Sequence, residues 1–284
     1  MTGISTRAEI KIIFQAYQRP TVSVAFPQAG ILSDYLAREA EKAGKVGQDV
    51  FVADRDLVKL FASAAVEMWH RALHSYILSA GLASTSPIWS SVAGYYASHY
   101  VVRGYAHLLG RYVLYRKKKV ASLCLDQGQF YCRLDGKGAE EREHKSYWKF
   151  VKTSAEFGSD PFLNVDNCAS PVSDQAHRTK ANYFDHVGSF LKFRALTQEA
   201  TVERIERISG ISLSAIPVPD ADDYPDLESV QIMAYHRIVR FRKYLDDLLG
   251  DRNNFWNTHR RPQWCQDIID FQITEAKLLS EVAS

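Results

Sequence analysis

Apolar positions along the chain follow two different periods. From Leu57 onward Leu57, Leu60, Phe61, Ala64, Met68, Ala72 and Tyr76 fall on one stripe at helical spacing. The spacing predicts a helix capped by Asp54, running to about Ala80, with Gly81 just past its end. Ser86-Pro87 is a start signal for a second helix that carries IWSSVAGYYASHYVVRGYAHLLG and stops near Gly110. Two long helices joined by so short a link are expected to lie antiparallel. The period then shortens: Val120, Leu123, Leu125, Phe130, Tyr131 and Leu134 surround a Gln127-Gly128 turn, the pattern of strands with a hairpin.

Weaker signals fill the rest. Thr6-x-x-Glu9 reads as a capping box for a short helix that ends before Pro20. A short strand fits within 20–30, a second short helix spans about Ser33 to Ala43, and GKVGQD after it reads as a loop. A charged helix is expected over 139–156, a loop over 158–173, broken helix over 174–209, and a Pro- and Asp-rich loop after that. Asp226 can start a helix closed by Gly250, and Pro262 opens a last one. The expected class is mainly α: an antiparallel helical bundle with a small strand-containing insertion. Its parts are an N-terminal extension at 1–50, a first bundle part at 51–112, an insertion at 113–225 and a second bundle part at 226–284. There is no internal repeat.

Composition narrows the function classes. At 284 residues and 46% apolar content the chain has ample material for a buried core. The net charge of +2 lacks the bias of a protein that coats nucleic acid, so any RNA contact must use local patches. Cys124, Cys132, Cys168 and Cys265 form no C-x-x-C pair and fit a reducing cytosol. The N-terminal segment shows no secretory pattern, and no apolar run approaches the roughly eighteen residues of a membrane span. Cytoplasm and no membrane are therefore expected. There is no phosphate-binding Walker loop, no G-x-S-x-G and no Gly-rich dinucleotide fingerprint.

Three stretches carry a resemblance. AGYYASHYVVRGYAHLLG is similar to the second helix of HEPN domains, MWHRALHSYILSAGL to the first, and RNNFWNTH to the HEPN ribonuclease motif of Arg, a polar residue and a later His. Arg252, Asn253 and His259 match the motif positions, and no other arginine precedes a histidine at that spacing in this chain. The similarity covers roughly 55–110 and 226–283; the segment 113–225 has no counterpart in a minimal HEPN bundle. The resemblance implies metal-independent cleavage of RNA, with the ribose 2'-hydroxyl attacking the neighbouring phosphorus and leaving a 2',3'-cyclic phosphate. It implies a homodimer that pairs two such motifs, no cofactor, and a toxin–antitoxin or phage-defence setting with an antitoxin or regulatory partner. His259 suits proton transfer because histidine titrates near neutral pH. Arg252 offers a planar fork for phosphate oxygens and a fixed charge for the transition state. Asn253 can hold either group by its amide. The plainer reading is a solvated helix-end pair in which Arg252 and His259 meet terminal carbonyls.

Other residues admit two readings each. His99, Arg103 and His107 stand one turn apart on one helix and either line an RNA groove or are satisfied inside the bundle. Arg116, Lys117, Lys118 and Lys119, with Tyr112, Tyr115, Phe130 and Tyr131 nearby, fit a single-strand RNA surface or a strand edge charged against aggregation. Glu67-x-x-His70, Glu141-x-x-His144 and the His70/His74 pair have metal-ligand spacing, but a di-iron site needs two further inward carboxylates, so no metal is expected. The competing class is a non-catalytic HEPN-like module that binds or regulates a partner.

Overall fold

The computed structural model describes residues 30–43, 49–52, 57–116, 119–126, 129–135, 143–160, 162–163, 199–212, 227–249 and 272–278. In chain order these form α1 (Gly30–Ala43), β1 (Asp49–Val52), α2 (Leu57–Leu82), α3 (Pro87–Leu108), β2 (Tyr112–Arg116), β3 (Lys119–Asp126), β4 (Gln129–Asp135), α4 (Glu143–Lys152), α5 (Thr201–Ser209) and α6 (Leu227–Leu249), with a last helical segment, α7, over 272–278. The protein is mainly helical. It divides into two compact units: 1–68, 102–159 and 244–260 make the first, and 69–101, 160–243 and 261–284 the second. Each unit is assembled from three separate stretches of chain, because α2, α3 and α6 each contribute to both.

All seven residues of the stripe from Leu57 to Tyr76 are buried. The helix does not stop at Ala80. It continues through Gly81 to Leu82, and the Ser86 amide bonds the Leu82 carbonyl at 2.8 Å. Gly81 serves a close approach rather than an end, since a Cβ there would sit 3.1 Å from Thr201 Oγ1. Helix α3 begins at Pro87 as the sequence predicts, with the Ser86 carbonyl accepting from the Ser90 amide. Its other end is a Schellman motif. Gly110, at φ 67°, donates to the His107 carbonyl, and Arg111 donates to the Ala106 carbonyl, both at 2.8 Å.

In the first unit the Phe61 ring of α2 lies 6.3 Å from the His107 ring of α3. Near the other ends of the same helices, in the second unit, Ser79 Oγ donates to the Ser90 carbonyl at 2.8 Å. These pairings make the hairpin antiparallel. Contacts from α6 run against α2 in reverse order: Gln231 with Ser79, Tyr235 with Tyr76, Arg242 with Trp69. Helix α6 is therefore antiparallel to α2. The residue that lets α6 close on α3 is Gly94, where a Cβ would stand 2.8 Å from Val230 Cγ1.

The first unit also holds a four-stranded antiparallel sheet in the order β1-β4-β3-β2. Asp126 pairs with Gln129, so β3 and β4 form the expected antiparallel pair. The sheet is not confined to the insertion, however. Asp49, expected to end a loop, begins β1, which pairs with β4 through partners such as Phe51 and Tyr131. The short DVFV run gave too brief an alternation to register as a strand; pairing with β4 stabilises it. Helix α1 packs on the sheet and buries Leu32, Tyr35 and Leu36. Strand β2 is an edge, and α4 covers it: Tyr147 Oη accepts from the Val113 amide at 3.2 Å and donates to the Val113 carbonyl at 3.3 Å. An edge amide and carbonyl are thereby paired without another strand.

Helix α4 ends at Lys152, before the 156 expected, and of 174–209 the described residues show helix over Thr201–Ser209. The capping box at Thr6, residues 20–29 of the strand expected in 20–30, the caps Asp54, Asp226 and Gly250, and Pro262 lie outside the described residues, while Gly30 opens α1.

Candidate functional site

Arg252, Asn253 and His259 lie outside the described residues, as do Lys117 and Lys118. Helix α6 ends at Leu249, three positions before Arg252 in the sequence. Lys119 opens β3 and pairs in register with Arg116 of the edge strand β2.

The His99, Arg103, His107 stripe is placed inside rather than along a groove. His99 is 2% exposed in the second unit, its ring stacked on Tyr95 at 5.9 Å with an 8° tilt. In the first unit the half-buried Arg103 holds its guanidinium 5.1 Å from the Tyr147 ring centre and 5.8 Å from that of Tyr112. His107 is 1% exposed and meets Tyr112 at 5.4 Å and Tyr147 at 5.7 Å. Both histidines are buried, as the alternative of a stripe satisfied inside the bundle describes. Helix α3 is apolar almost all round, so a polar side chain on it has few exposed positions to occupy.

His107 has a defined protonation state. Its Nδ1 lies 3.1 Å from the Arg111 carbonyl, which can only accept, so Nδ1 carries the proton. Burial, then the Arg103 charge, holds its pKa down to about 3 against an ordinary 6.5; the bond to Arg111 opposes them. A neutral ring wedged among aromatics is a packing and hydrogen-bonding element.

Of the residues with metal-ligand spacing, His70 is buried beside Trp69, their rings 5.2 Å apart, and His74 is half-buried, its pKa lowered by burial. Glu141 lies outside the described residues. Among the described residues no group of three or more His, Cys, Asp or Glu side chains is placed to hold a metal ion. Among them, too, no helix is long and apolar enough to cross a membrane.

The most concentrated polar chemistry described is a cluster in the second unit that the sequence reading missed. Arg204, 1% exposed on α5, donates from Nε to Gln231 Oε1 on α6 at 2.8 Å. Gln231 Nε2 in turn donates to the Ser79 carbonyl at 2.9 Å and lies 3.3 Å from Ser90 Oγ. Ser90 Oγ closes the ring by donating to the Ser79 carbonyl. Towards the surface Glu199 pairs with Arg204 at 3.5 Å and with Arg207 at 3.3 Å, and Arg207 also pairs with Glu228. Burial and the Arg207 charge lower the Arg204 pKa, opposed by Glu199, Glu228 and Tyr76; an arginine so placed remains a cation. One signal was available: Gln231 shares its helix face with Leu227, Ala234, Tyr235 and Ile238, all buried. A polar residue within such a face must find partners. Here every one of them is intramolecular, so the cluster joins α5 to α6 and the α2–α3 hairpin.

Comparison with known proteins adds no relative: no family model, curated protein or solved structure gives a significant match to this chain.

Proposed function

We propose that the chain is a metal-independent endoribonuclease of HEPN type, with Arg252, Asn253 and His259 as its reacting set. The observation that carries this reading is the RNNFWNTH motif in the sequence shortly after α6. The mainly helical build, with an antiparallel α2–α3 hairpin and α6 beside it, is compatible with the bundle that the resemblance implies.

In this mechanism His259 takes the proton of a ribose 2'-hydroxyl. The freed oxygen attacks the adjacent phosphorus, the bond to the 5'-oxygen of the next nucleotide breaks, and that oxygen leaves with a proton. A second His259, from a homodimer partner, supplies this proton, while Arg252 stabilises the charge on the non-bridging oxygens. The products are a 2',3'-cyclic phosphate and a 5'-hydroxyl.

Purified protein and its His259→Ala variant, matched for folding and oligomeric state, are incubated with several total RNAs in EDTA. Cleavage by wild type that is lost in the variant supports the reading. Equal cleavage by both overturns the assignment of His259 and leaves RNNFWNTH a polar loop; cleavage by neither overturns the reading in favour of the non-catalytic binding module.

A further inference from the structure

We draw no further inference here: the strongest candidate, the buried Arg204 side-chain cluster at the start of α5, where Ala200 gives no side-chain cap and Arg204 Nη2 has no hydrogen-bond partner, carries nothing because Glu199 and Gln231 already take its other nitrogens and Nη2 is closed to solvent.

Discussion

Arg204 and Gln231, twenty-seven positions apart in the chain, meet through a 2.8 Å hydrogen bond in an interior that neither side chain leaves. The amide of Gln231 works in both directions: its oxygen accepts from a guanidinium, and its nitrogen serves a backbone carbonyl and serine hydroxyls. No apolar side chain of similar size can do either. Gln231→Leu is expected to leave Arg204 Nε and the hairpin's polar groups short of partners, at a cost of about 2–4 kcal/mol in urea unfolding. Gln231→Glu keeps the acceptor for Arg204 but turns a second oxygen towards the Ser79 carbonyl. It should also destabilise, whereas an unchanged midpoint for both variants would show that the cluster is not closed as described.

The buried His107 gives stability a pH dependence of known sign. Its folded pKa is about 3, below the ordinary 6.5. Between those values the unfolded chain binds the extra proton, so the contribution is complete above the unfolded pKa and is lost as pH falls towards 3. From neutral pH down to 5 this one group should remove about 2 kcal/mol. Urea titrations of wild type and His107→Phe over that range would isolate it, because the other histidines titrate in both proteins. A difference between the two that does not vary with pH would contradict a neutral, buried His107.

Two glycines should respond to alanine for different reasons. At Gly110 the penalty is conformational, about 1 kcal/mol for an L-residue at positive φ. At Gly94 it is steric, since the new methyl meets Val230 and Ser79, and overpacking of this kind costs about 1–3 kcal/mol. Shrinking the neighbour separates the two. Adding Val230→Ala should cost less in the Gly94→Ala background than in wild type, but the same in the Gly110→Ala background. Additive behaviour at Gly94 would mean that α3 and α6 do not approach there.

Tyr147 should matter through its hydroxyl. Tyr147→Phe keeps the ring beside Arg103 and His107 but strips the edge strand of its bond at Val113, a loss of about 1 kcal/mol. Hydrogen exchange reads it locally: the Val113 amide should exchange faster in the variant, while amides central to α2 keep their relative protection. Unaltered exchange at Val113 would remove α4 as the cover of the edge.

The sequence by itself determined the elements whose residues share one local period. The α2 stripe, the Pro87 start, the Gly110 stop and the antiparallel β3–β4 pair were all legible, because helix and strand geometry repeat every few residues and caps act over one turn. It also contains RNNFWNTH, whose proposed chemistry rests on residue type and spacing, while convergence on one phosphate is a matter of three dimensions. Tertiary structure alone decided the rest. Gly81, expected just past the end of α2, falls inside it, one residue before Leu82. Asp49–Val52 became a strand only by pairing with β4. His99 and His107, equally suited to a groove by spacing, were turned inward because neighbouring helices and aromatic rings close around α3. Arg204 and Gln231 are ordinary surface residue types in isolation. Burial obliges them to satisfy their hydrogen bonds within the protein, and the partners that do so come from distant parts of the chain, where no local pattern reaches.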